Sequence, residues 1–192
     1  MVTQLVFETH SWSEDNDRRI ASGWNGSRLS ERGQVLAREL GERRRDDGII
    51  AVFTSDLERA VETARIAFGS SPTPILHDWR LRECDYGDRN GLPADELRRD
   101  LRLHLDEPYP GGESWRQAVH RVGRFLDDLH LRWEGSRVLV IGHVATRWAF
   151  DHLLNGVPLE HLMEADFAWR EGWEYQLESR PTGDVERKRS TT

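Results

Sequence analysis

Two histidines, an arginine and a glutamate stand out in this chain of 192 residues, because each lies just past an apolar run of strand length. His10 follows LVFET, Arg59 comes shortly after IIAVFTS, Glu83 follows PILHDWRL, and His143 follows RVLVIG. In open α/β sheets, ligands bind at the carboxyl ends of the strands. Residues far apart in sequence would therefore converge on one sheet edge. A neutral imidazole can attack phosphorus and carry a phosphoryl group. A carboxylic acid can protonate the leaving oxygen. A guanidinium can grip two phosphate oxygens, and a helix N-terminus behind it adds a favourable dipole. The set suits phosphoryl transfer, which is mostly positioning and charge stabilisation.

Taken singly, each residue has a plainer reading, as a hydrogen-bonded structural histidine or a surface Arg59–Glu83 ion pair. His10, His143 and Glu83 would also make a two-histidine, one-carboxylate zinc set, although no H-x-x-x-H pair accompanies them. Cys84, the only cysteine, does not start a C-x5-R loop, because Arg89 comes one place too early. It reads as a small buried apolar residue.

The elements that must position these residues alternate between strand and helix. Residues 3–9 read as a strand, followed by a loop with Gly23, Asn25 and Gly26. A charged helix spans about 30–46, with Val35, Leu36 and Leu40 at helical spacing. The run from Ile49 reads as a strand buried on both faces. Ser55 and Glu58 have the spacing of a capping box that would open the next helix. A weaker strand begins near Pro74. PGGES, from Pro110, reads as a turn, and Ser114 can cap a long amphipathic helix. RVLVIGH, from Arg137, is the clearest strand. A helix follows from Thr146 to near Gly156, then one or two strands from Phe167. The pattern predicts an α/β fold, a three-layer α/β/α sandwich with a mostly parallel central sheet. Residues 1–179 would form one domain and residues 180–192 a mobile polar tail.

Composition narrows the function classes. The net charge of −7 argues against a nucleic-acid footprint. Lys188 is the only lysine, so the basic residues are nearly all Arg. No apolar run is long enough to span a bilayer, and a soluble cytoplasmic protein, monomer or homodimer, is the default reading.

The surroundings of the four residues resemble the histidine phosphatase superfamily, the phosphoglycerate mutase-like proteins, over residues 5–177. RLSERGQVLAREL from Arg28 is similar to the segment after the family's first loop. VFTSDLERAVETA from Val52 resembles the strand-to-helix element whose Arg, here Arg59, binds phosphate. LRECDYGDRNGL matches the segment whose Glu, here Glu83, is the usual proton donor. VLVIGHVATRWAF carries the second histidine, here His143. The resemblance implies a phosphomonoesterase acting through a phosphohistidine on His10, on a small phosphomonoester and without a cofactor. A mutase is a weaker match, because the stretch 91–110 is short.

The opening stretch departs from the family's Arg-His-Gly. Phe7-Glu8 would fall on Arg-His if the strand starts were aligned without gaps. The preferred register puts THSWSEDN on the motif, so that His10 is the nucleophile, Ser13 the family's Thr and Asn16 its Asn. Thr9 then replaces the first phosphate-binding Arg, Ser11 replaces the Gly, and Val144 replaces the Gly after the second histidine. Thr9, Ser11, Asn16 and Val144 would contact the substrate, and Arg18 or Arg19 could restore the missing charge. The departures leave a second class open: a catalytically silent or repurposed pocket, binding a small molecule or doing acid/base chemistry without phosphate. Tryptophans Trp12, Trp24 and Trp115 would line an apolar pocket or simply pack in the core and rim.

Overall fold

The structure is a computed structural model that describes residues 2–165 and 169–178. Among these described residues seven strands form in chain order: β1 (Thr3–Thr9), β2 (Ile20–Ala21), β3 (Ala51–Thr54), β4 (Ile75–His77), β5 (Leu92–Pro93), β6 (Arg137–Gly142) and β7 (Trp173–Leu177). Between them lie helices α1 (Glu14–Asp17), α2 (Glu31–Arg44), α3 (Glu58–Phe68), α4 (Ala94–Arg99), α5 (Trp115–Trp133), α6 (Val144–Asn155) and α7 (Leu159–Glu164). The main sheet has the order β4-β3-β6-β1-β7. All its pairings are parallel except β1 with β7 at one edge. β2 and β5 make a separate small ribbon.

Strand side chains alternate between faces, and the two faces are covered by different helices. Leu5, Phe7, Val138 and Val140 pack with Val122, Phe125 and Phe150 from α5 and α6. Val6, Leu139 and Ile141 pack with Leu40 of α2 and Ala60, Ala64 and Phe68 of α3. The three-layer α/β/α sandwich is thus built as the residue pattern requires. Among the described residues, no helix is long and apolar enough to cross a membrane.

Local details correct the sequence reading. Helix α3 begins at Glu58 with Leu57 as its N-cap and no side-chain cap, so the Ser55–Glu58 capping box does not form. The fourth strand is only three residues long and gives way to a 3-10 turn over 79–81. Ser114 does cap α5, reciprocally with Gln117. Of the strands expected from Phe167, β7 is present; residues 166–168 and the tail 180–192 lie outside the described residues.

Gly33 explains how the loop after His10 is held. A Cβ there would sit 1.9 Å from the Trp12 carbonyl oxygen, so only glycine lets α2 approach this loop. The Ser30 amide donates to the same carbonyl.

Glu8, the penultimate residue of β1, is 2% exposed yet charged. Arg44 reaches its Oε1 at 2.8 Å and Arg43 at 3.2 Å. Removing one partner of a buried pair leaves uncompensated charge. Glu8→Ala is therefore expected to destabilise the fold by about 3–5 kcal/mol, measured by urea unfolding; a loss under about 1 kcal/mol would mean the cluster is effectively solvated.

Candidate active site

Parallel pairing places the two histidines side by side. Thr9 of β1 is registered with Gly142 of β6, so His10 and His143 are each the next residue beyond a paired strand end. The His10 amide donates to the Gly142 carbonyl at 2.9 Å, and the ring centroids are 5.0 Å apart. Phe7, the residue that the other register would align with the motif's Arg, is fully buried in the core.

His10 Nδ1 lies 2.8 Å from the Ser11 carbonyl oxygen, which can only accept. Nδ1 therefore carries the proton, and Nε2 presents a lone pair. Arg59 Nε donates to that Nε2 at 3.3 Å. Arg59 itself is 3% exposed and donates to the Gly23 carbonyl at 2.8 Å and the Asn25 carbonyl at 3.4 Å. Burial, and then the Arg59 charge, hold the His10 pKa down at about 3. His143 is pushed well below the ordinary imidazole range by burial first, then by Arg59 and His10. Both rings are neutral at physiological pH.

His143 is 1% exposed. Its Nε2 lies 2.7 Å from Ser55 Oγ, the hydroxyl that sequence spacing had assigned to a helix cap. Among the described residues its Nδ1 has no hydrogen-bond partner and lies buried at the start of α6.

Glu83 is held at the start of α6. Its Oε1 accepts from the Cys84 and Ala145 amides at 2.9 and 3.1 Å, and its Oε2 from the Val144 amide at 3.2 Å. Burial raises its pKa, opposed by the Cys84 amide and by Arg59. Its backbone carbonyl is pinned by Trp24 Nε1 at 2.6 Å and Arg121 Nη2 at 2.8 Å.

A cavity of about 590 Å³ opens over these groups, lined by His10, Arg59, Glu83 and His143 and also by Thr9, Ser11, Asn16 and Val144. The Oδ1 of Asn16 is committed to Ser13, accepting from its amide and hydroxyl at 3.0 Å each. Arg19 is not brought to the site. It is exposed and absent from the cavity lining, at a residue with a positive φ of 56°. The expectation that it restores the missing charge is corrected accordingly; Arg18 is exposed too, pairing with Asp15. Trp12 lines the cavity, whereas Trp115 is core, beside Trp148 and Tyr86.

Sequence reasoning missed Thr63 and Arg121, took Ser55 for a helix cap, and placed Trp24 at a pocket or in the core and rim, whereas it pins the Glu83 carbonyl. Thr63 accepts the Ser11 amide at 2.9 Å and donates to the Arg59 carbonyl at 2.7 Å, locking the loop after β1 to α3. Its position one helical turn after Arg59 was the available signal.

This fold and site define a family, and comparison with known proteins identifies it. The model of the histidine phosphatase superfamily (branch 1) matches residues 6–171, and the chain belongs to that superfamily. Relatives include the 2,3-bisphosphoglycerate-dependent phosphoglycerate mutase of Parvibaculum lavamentivorans, 31% identical over 98% of this chain and 96% of the relative. A Methylobacterium protein of the same name is 36% identical over 81% of this chain and 82% of its own. Among solved structures, Bacillus stearothermophilus YhfR superposes with a TM-score of 0.79 at 29% identity, covering 90% of each chain. A mycobacterial glucosyl-3-phosphoglycerate phosphatase solved with VO3 shares the fold at TM-score 0.73 and 24% identity, over 83% of this chain and 85% of that one.

The depressed histidine pKa values have a consequence for stability. Below pH 6.5, the ordinary imidazole value, the unfolded chain takes up protons that the folded chain refuses. Stability is therefore full above pH 6.5 and falls as the pH drops toward 3, by up to about 1.4 kcal/mol per pH unit for each such ring. Urea unfolding at pH 8, 6.5 and 5 should show this decline, and His10→Gln should reduce it. An equal decline in the variant would mean His10 titrates normally in the fold.

Proposed function

We propose that this protein is a phosphomonoesterase that works through a phosphohistidine on His10, with a weakened phosphate clamp. The observation that carries the reading is the state of His10, a neutral ring whose Nδ1 faces the Ser11 carbonyl and whose Nε2 lone pair stands beside the buried Arg59. In this mechanism Nε2 attacks phosphorus and the ester P–O bond breaks. The leaving oxygen takes the Glu83 proton, which the burial-raised pKa keeps available. Water then attacks the phosphohistidine and returns a proton to Glu83, releasing phosphate and neutral His10. Arg59 and the His143 ring steady the transferring phosphoryl oxygens. Thr9 offers a hydroxyl where the resemblance places an Arg, so one charged donor to the developing charge is missing.

Two further readings have specific support. Phosphoglycerate mutase is the name borne by a relative that aligns over 98% of this chain and 96% of its own. A repurposed binding pocket is favoured by prior commitments. Arg59 is already bonded to the Gly23 and Asn25 carbonyls, and the Val144 amide to Glu83.

Incubation with a panel of phosphomonoesters, followed by a denaturing quench, should leave an acid-labile phosphoryl adduct on His10 that is absent from His10→Ala. No adduct together with no turnover across the panel would overturn the phosphatase reading. Thr9→Arg is expected to raise kcat/KM by about ten- to a hundredfold; an unchanged value would favour the repurposed pocket.

A further inference from the structure

We propose that the alcohol half of the substrate is a large apolar group lying along α2, and that a second anionic group on the substrate is disfavoured. This inference rests on the phosphatase reading and names the substrate class of the same site. The cavity extends away from His10 along one stripe of α2, where Arg32, Leu36, Leu40 and Arg43 recur at helical spacing. Leu36 and Leu40 give this wall its apolar middle, and Ile20, Trp12 and Trp169 line the same space. Trp12 is 38% exposed and Trp169 57%. Large aromatic surfaces held open at a cavity mouth are what an apolar ligand would cover.

Two cations on this wall already have partners within the fold. The Arg32 guanidinium lies 4.9 Å from the centre of the Trp12 ring. Arg43 pairs with Glu8 at 3.2 Å and Glu171 at 4.0 Å. Glu39 lines the same space, so a second anion would meet like charge there. Phosphate therefore has one charged anchor, Arg59, and the rest of the ligand has an apolar wall.

The n-alkyl phosphates isolate this effect, because leaving-group basicity stays nearly constant as the chain lengthens. Between propyl and octyl phosphate, kcat/KM is expected to rise at least about tenfold, and 3-phosphoglycerate should fall below octyl phosphate. Leu36→Asp should collapse the octyl-to-propyl ratio to under about threefold. A flat series, or a preference for 3-phosphoglycerate, would overturn the proposal. Calorimetric binding of octylphosphonate against propylphosphonate reads the same wall without turnover. An affinity ratio of about ten or more supports the proposal even if no ester is hydrolysed, in which case only the phosphatase reading fails. Equal affinities, or no binding of either, contradict the apolar wall itself.

Discussion

The parallel pairing of β1 with β6 is the constraint on which the site depends. Its register sets Thr9 opposite Gly142, and the next residue on each strand is a histidine. A slip of one residue would send every β1 side chain to the opposite face. Phe7 would leave its packing against Phe150 and Trp173, and Glu8 would lose Arg43 and Arg44. The hydrophobic layers and the buried ion pairs thus hold the two rings at 5.0 Å. The chemistry inherits its geometry from packing.

Electrostatics then separate the roles of chemically similar groups. His143 is buried and His10 half-buried, both next to a guanidinium that opposes their protonation, so they stay neutral and one can act as a nucleophile. Glu83 shares that burial, but for a carboxyl the same desolvation favours the protonated, acidic form. Backbone partners fix the details: the Ser11 carbonyl orients His10, and amides at the start of α6 hold both Glu83 oxygens. The loop over the site is supported by the guanidinium it covers, through the Gly23 and Asn25 carbonyls.

How much of this was legible in the sequence follows from the range of each interaction. His10, Arg59, Glu83 and His143 could be placed because apolar runs mark strands, and strand ends share one edge in a parallel sheet. Ser55 could not. Its spacing to Glu58 fits a local cap, but the His143 ring, 88 positions along the chain, takes its hydroxyl instead. Arg19 failed for the opposite reason: its backbone takes a positive φ, and composition carries no sign of it. Short elements such as α1, β2 and β5 have too few residues for periodicity to register. The pinning of Glu83 by Trp24 and Arg121 is tertiary throughout.

The most direct test is a crystal structure of the protein with vanadate, which adopts the five-coordinate geometry of a transferring phosphoryl group. The expected result is vanadium within bonding distance of His10 Nε2, one equatorial oxygen within hydrogen-bond distance of the His143 ring, and Arg59 turned from a backbone carbonyl toward another equatorial oxygen. Vanadate seated away from Nε2, or a site that excludes it at concentrations saturating for other phosphatases, would contradict His10 as the phosphoryl acceptor.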